Sequence, residues 1–270
     1  MSEETNNVVE LKPTETPPST DPEAYRKYRD EHRDWIIRHL PHWTVDLLKE
    51  IRQVAPEAFI AGGLLRDLCN LLDIGKLKDV DIFLLDGAGA YEKVIEIVKK
   101  SHPEIVDLID MTDDYGDWQC DNRGVHAVLE CRSKIEGVLP VNLIFLLPQF
   151  FNDQMTVEGV IGDFDFGMCQ VGFDGAKIIA TEAFWEDQAY HKFTLTRCHG
   201  WGDFDRSMQR FERFQAKYMY TAPAIPELEI PERTCCLVRL EFASQFKYYE
   251  PHTKSLEELR VQVKELEKAA

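Results

Sequence analysis

The sequence predicts an α+β fold, a small mixed or antiparallel sheet flanked by helices, with helical additions outside it. Three observations carry this. Short apolar runs of strand length alternate with stretches whose apolar residues recur at helical spacing. Of the 270 residues 44% are hydrophobic, enough to fill one sizeable core. No pattern repeats at roughly 20 to 50 residues, which removes the solenoid folds.

Between 22 and 40, Tyr25, Tyr28, Trp35 and Ile36 interleave with charges at helical spacing, and a second helix is expected over 44–54. The run 58–61 reads as a short strand ending at Gly62-Gly63, 64–72 as a helix, 80–85 as a strand and 89–100 as an amphipathic helix. Two further strands are expected over 125–131 and 141–147, joined through a turn-bearing stretch around Gly137 and Pro140. Residues 163–175 read as irregular and aromatic, 177–180 as a short strand and 203–218 as a helix. Pro223, Pro226 and Pro231 mark a linker, after which 236–242 is a candidate strand. The stretch 255–268 opens on a capping box, Ser255 with Glu258, and carries Leu256, Leu259, Val263 and Leu266 on one helical stripe. The expected division is a disordered acidic leader over 1–22, one domain over 23–220 and an accessory segment with a C-terminal helix over 221–270.

Charge narrows the function classes. Thirty-one Lys and Arg against 48 Asp and Glu leave a net −17, which excludes a protein that coats nucleic acid by charge alone, since that needs a basic surface. Any basic site is therefore local. No apolar run reaches the length of a membrane span, and the N-terminus lacks the basic start and apolar core of a signal peptide, so the expected compartment is the cytoplasm with no membrane partner. Seven cysteines (Cys69, Cys120, Cys131, Cys169, Cys198, Cys235 and Cys236) include no C-x-x-C pair, and several lie in apolar runs, so reduced core thiols are expected rather than zinc ligands.

The most informative stretch is Ala61-Gly62-Gly63-Leu64-Leu65-Arg66-Asp67, followed by Asp79-Val80-Asp81-Ile82-Phe83. Two glycines between a strand and a helix let the backbone approach a ligand closely, and the helix N-terminus behind them offers free N–H groups to phosphate oxygens. Asp79 and Asp81, two apart on a strand, project from one face and can hold a divalent cation together. A second cation on the same pair gives the two-metal arrangement suited to nucleotidyl transfer, with Arg66 as counter-charge to a triphosphate. Each piece alone has a bland reading as a turn, a polar strand edge or a surface ion pair. Their order and spacing favour the chemical one.

These residues resemble the DNA polymerase beta-like nucleotidyltransferase superfamily, specifically the head domain of CCA-adding enzymes and bacterial-type poly(A) polymerases. Gly62, Gly63, Arg66, Asp67, Asp79, Asp81 and Ile82 match its Gly-Gly-x-x-Arg-Asp … Asp-x-Asp-Ile pattern position by position. The resemblance implies a nucleotidyltransferase sheet, Mg2+ or Mn2+ held by catalytic Asp79 and Asp81, and a nucleoside triphosphate facing Gly62, Gly63 and Arg66, with Asp67 beside them. Asp165-Phe166-Gly167-Met168-Cys169 is similar to the family's Asp-Phe-Thr-x-Asn segment, with Cys169 in place of the asparagine, and Asp163-Phe164 replaces a pair of arginines. Arg206, Arg210, Arg213 and Lys217 recur at helical spacing on one stripe, which places four positive charges toward a triphosphate or an RNA end, or else on a solvated face. Many relatives carry a third acid on the strand that resembles 141–145, where this chain has Asn142. Glu130, Asp163 or Asp165 can supply the missing charge, and Asp165 ranks first because its segment approaches the site in the family. The donor is then an NTP and the acceptor a hydroxyl, an RNA 3′ end such as that of tRNA ranking first.

Other patterns are set aside. Asp107, Asp110, Asp113, Asp114, Asp117 and Asp121 lack calcium-loop spacing and read as an acidic solvated loop. His191, Cys198 and His199 lack a fourth metal ligand, and Ser133 and Ser207 lack the partners of a nucleophile. Two rival functions stand: a catalytically degraded nucleotide-binding or interaction module, and a toxin-like enzyme that nucleotidylates a protein or small molecule.

Overall fold

A computed structural model describes residues 21–70, 77–84, 87–101, 105–111, 125–135, 138–147, 156–197, 201–221 and 227–229. The leader through residue 20, Asp113 to Asp121, Cys198, His199, the candidate strand over 236–242 and the helix over 255–268 lie outside the described residues, whereas Asp21 and Pro22, read as leader, open the first helix.

Helix α1 (Pro22–His39) starts where the Asp21 carboxylate accepts the Glu23 N–H at 3.0 Å, with Pro22 at the first helical position. Tyr28, His32, Trp35 and Ile36 form its buried face, and the Trp35 indole N–H donates to the Leu68 carbonyl at 3.3 Å. Helix α2 (His42–Ile51) buries Thr44, Leu47, Leu48 and Ile51, the i, i+3, i+4, i+7 stripe of an amphipathic helix. Strand β1 (Phe59–Ala61) then leads through Gly62 into α3 (Gly63–Asn70) and β2 (Val80–Leu84). Helix α4 (Gly87–Ser101) follows, and β3 (Ile105–Asp110), β4 (Val125–Ser133) and β5 (Val141–Leu146) return the chain to the sheet. The remaining elements are α5 (Val157–Gly162), a 3-10 turn (Gly167–Cys169), β6 (Val171–Phe173), β7 (Ile178–Ala180), α6 (Glu182–Tyr190), β8 (Lys192–Thr194), α7 (Trp201–Thr221) and β9 (Glu227–Glu229).

Seven strands form one mixed sheet in the order β3-β4-β5-β2-β1-β6-β7, in which β2 and β5 run parallel and the other neighbours antiparallel. This is the expected α+β class. Strand alternation divides its residues between two faces. Val80, Ile82, Leu84, Val141, Leu143 and Phe145 turn to the main core, where they join residues of α2, α3 and α4. Phe59, Ala61, Val128, Ile144 and Leu146 turn the other way, against Val157, Val160 and Ile161 of α5. Asp81 and Asn142, out of phase with the first set, lie on this second face.

The structure departs from the sequence reading in several places. Asp107 and Asp110 belong to strand β3 at the edge of the sheet rather than to a loop, because an edge strand can point charged side chains at water. Residues 163–175, read as irregular, contain β6, and the proline linker contains β9, which pairs with β8 in parallel. Helix α6 carries no regular apolar stripe: it buries Asp187 and Gln188 beside Phe184, Trp185 and Ala189. Cys69, Cys131 and Cys169 are buried and outside any disulfide. No described helix is long and apolar enough to cross a membrane.

Candidate functional site

The site forms where β1, α3, β2 and β5 meet. Gly62 has φ +82°, a backbone conformation that favours glycine, and turns the chain from β1 into α3. A Cβ there would meet the Asp81 Oδ2 at 2.6 Å, so the turn and the carboxylate fit against one another only because the side chain is absent. The Gly63 backbone N–H donates to the Asp81 carboxylate, and a Cβ on Gly63 would stand 3.6 Å from the Asp79 Oδ1. Both acids therefore flank the glycine turn, as their two-residue spacing implies.

Asp81 lies opposite Ala61 on β1 and opposite Asn142 on β5. The Asn142 amide donates to the Asp81 Oδ1 at 2.9 Å. Burial pushes the Asp81 carboxyl up to about 6, and the neighbouring Asp79 charge adds to the shift, against the hydrogen bond from Asn142, the charge of Arg66 and the Gly63 N–H. Burial also raises the Asp79 carboxyl, Asp67 adds to it, and Arg66, Lys217 and Lys78 oppose it.

Arg66 sits behind the turn and is 6% exposed. Its Nε donates to the Asp67 Oδ1 at 3.0 Å, its Nη1 points to the Cys169 Sγ at 3.6 Å, and its guanidinium lies 4.2 Å from the centre of the Phe214 ring. A Cβ on Gly63 would stand 3.5 Å from the Arg66 Nη2, so this nitrogen faces the turn. Lys217 donates to the other oxygen of Asp67. Asp67 is 3% exposed, with Arg66 and Lys217 on its two oxygens.

The basic stripe on α7 divides. Arg210 pairs with the Asp165 Oδ1 at 2.7 Å, while Ser207 donates to the Asp165 Oδ2 at 2.9 Å and the Phe166 N–H donates to Oδ1 at 3.0 Å. Lys217 reaches Asp67, Arg206 is half-buried, and Arg213 is exposed. The three acids expected to replace the missing carboxylate each have an arginine partner. Glu130 lies opposite Asn142 but holds Arg132 at 2.6 Å, Asp163 accepts from Arg197 at 3.2 Å, and Asp165 is committed to α7. Ser207, set aside as a nucleophile, orients Asp165. The sequence gives no sign of the part played by Phe214, whose aromatic character alone reads as core.

A divalent cation fits the donors present. Two carboxylates, both raised by burial and one by the other's charge, are the arrangement a cation would relieve, and they are hard oxygen donors. Among the described residues no group of three or more His, Cys, Asp or Glu could hold a metal, and Asp79 and Asp81 are the candidate pair there.

No protein-family profile matches the chain, and no curated protein matches it significantly. Solved structures do. A CCA-adding enzyme in complex with CTP superposes with TM-score 0.51 at 15% identity, over 78% of this chain and 46% of that one. An apo form of a CCA-adding enzyme superposes with TM-score 0.50 at 16% identity, over 78% of this chain and 45% of the other. The chain thus spans less than half the length of these enzymes. Within that span it shares the fold of these CCA-adding enzymes, the family that the resemblance of the glycine turn, Arg66-Asp67 and the Asp79/Asp81 pair points to.

Proposed function

We propose that this chain transfers a nucleoside monophosphate from a nucleoside triphosphate to a hydroxyl acceptor, releasing pyrophosphate. The observation that carries the reading is the convergence of Asp79 and Asp81 on the Gly62-Gly63 turn, with Arg66 behind it. Mg2+ or Mn2+ on the two carboxylates would neutralise triphosphate oxygens and lower the pKa of the attacking hydroxyl. The chain's own part is to hold those carboxylates side by side at the start of β2, to bring backbone N–H groups and Arg66 to the phosphates, and to back the Arg66 guanidinium with the Phe214 ring. A likeness in fold to an enzyme solved with CTP supports an NTP as donor.

For the acceptor we favour an RNA 3′ end such as that of tRNA, in the cytoplasm, held locally because the whole chain carries −17. Arg206 and Arg213 on α7, and Arg210 where it is not shielded by Asp165, are the candidate contacts. A second reading, a nucleotide-binding module without catalysis, is favoured by one observation: Asn142 supplies a neutral N–H donor to Asp81 where a third acid would add a metal ligand.

The test incubates the purified protein with each α-labelled NTP, Mg2+ or Mn2+, and total cellular RNA and protein, beside Asp79→Ala/Asp81→Ala. Label transferred by the wild type and lost in the double variant supports the enzyme, and the labelled fraction identifies the acceptor class. NTP binding with no transfer under either metal supports the second reading instead.

A further inference from the structure

We propose that Phe214 and Lys217 of α7 are positioning residues for Arg66, holding its guanidinium so that Nη2 faces the Gly62-Gly63 turn and the phosphates of a bound nucleoside triphosphate. The inference rests on the reading of this site as an NTP site.

Arg66 is buried and has a carboxylate, Asp67, next to it in sequence. A buried guanidinium beside a buried carboxylate forms a two-pronged pair when nothing prevents it, because that geometry satisfies both groups. Here the Arg66 Nε meets Asp67 at its Oδ1, while Lys217 donates to Oδ2. Lys217 thus competes for the second oxygen. The ring of Phe214, 4.2 Å from the guanidinium, fixes its plane, and the same ring lies 5.6 Å from Arg210, which Asp165 holds in turn. Nη1 is directed to Cys169. Nη2 faces the glycine turn. Without the Lys217 ammonium at Oδ2, the negative charge of Asp67 would draw a second guanidinium nitrogen toward it and rotate Arg66 away from the turn. Without the Phe214 ring face, the plane of the guanidinium loses its stop.

The experiment measures NTP dissociation constants by titration calorimetry for the wild type, Lys217→Met, Lys217→Arg, Phe214→Leu and Phe214→Trp, each repeated in an Arg66→Met background. Lys217→Met and Phe214→Leu should weaken NTP binding by roughly 3- to 30-fold, the span of a partly desolvated cation–π or ion-pair contact. Lys217→Arg and Phe214→Trp should restore most of it. In the Arg66→Met background the losses should vanish, whereas a merely structural role for α7 would weaken binding equally in both backgrounds. Additive losses, or variants that bind NTP as the wild type does, overturn the proposal while leaving the NTP site intact. A wild type that binds no NTP overturns the reading beneath it and the proposal together. Phe214→Leu keeps apolar volume in the core, so it carries the test if Lys217→Met does not fold.

Discussion

The Asn142 amide donates to the Asp81 carboxylate across the β2–β5 register, so the strand position beside the metal-ligand candidate supplies a hydrogen-bond donor rather than a third negative charge. This holds Asp81 in place without a cation but offers a cation less. Asn142→Asp reverses both effects, since three carboxylates crowd one another until a cation arrives. In chelator the variant should lose about 2 kcal/mol of stability, the cost of a lost buried hydrogen bond with added like-charge repulsion. With Mn2+ it should gain thermal stability to a larger extent than the wild type. Equal responses to Mn2+ would remove Asn142 from the cation's surroundings.

Asp81 also makes stability depend on pH. Its carboxyl is raised from 3.8 to about 6, chiefly by burial and then by Asp79, so the folded chain binds the proton more tightly than the unfolded one. The contribution is fully present below about pH 4, and stability falls as pH rises from about 4 to 6. Asp81→Asn, neutral at every pH, should be the more stable protein at pH 7 by roughly 2–3 kcal/mol, with the advantage shrinking toward pH 4. Denaturant midpoints of the two proteins across pH 4 to 7.5 check this, and a constant difference would refute it. Saturating Mn2+ at pH 7 should narrow the gap by stabilising only the wild type.

Asp187 is a second buried acid with a different duty. It accepts the Met168 N–H at 2.7 Å, the Thr194 N–H at 2.9 Å and the Thr194 hydroxyl at 2.5 Å, and so ties the 3-10 turn that carries Cys169 to strand β8. Asp187→Ala leaves those buried donors without an acceptor and should cost about 3 kcal/mol or more. Asp187→Asn keeps an acceptor oxygen and should cost less. Thermal unfolding of the two variants separates the outcomes, and an Ala variant as stable as the wild type would show that water replaces the carboxylate.

The strand–turn–helix–strand unit around Gly62 is legible in the sequence because each part acts locally: adjacent glycines break the strand, and alternation sets Asp79 and Asp81 on one face. Asn142 is legible as a residue on a strand, but its contact with Asp81 depends on β5 lying beside β2, which no local pattern encodes. The α7 stripe shows the converse limit. Helical spacing groups Arg206, Arg210, Arg213 and Lys217, yet Arg210 and Lys217 are engaged by Asp165 and Asp67, 45 and 150 residues away in sequence. Helix α6 escapes a periodicity search because its buried face includes Asp187 and Gln188, whose burial is stabilised by hydrogen bonds rather than by an apolar stripe.

The two glycines of the turn should respond differently to a methyl group. At Gly62 the φ of +82° strains any L side chain, which costs about 1–2 kcal/mol, and the new Cβ would meet the Asp81 Oδ2 at 2.6 Å. To fit it, Asp81 must swing away and give up its bonds to Asn142 and the Gly63 N–H. At Gly63 the new Cβ would meet the Arg66 Nη2 at 3.5 Å and the Asp79 Oδ1 at 3.6 Å, ordinary van der Waals contacts, and the residue is already helical. Gly62→Ala should therefore lose the stabilisation that Mn2+ gives the wild type, beyond any general loss of stability. Gly63→Ala should keep that stabilisation, because Asp79 and Asp81 stay where they are, while the methyl group narrows the approach to the backbone N–H and weakens NTP binding. Melting temperatures with and without Mn2+, and NTP titrations of both variants, distinguish the two effects; a Gly62→Ala protein that still responds to Mn2+ would show that the turn does not set the position of Asp81.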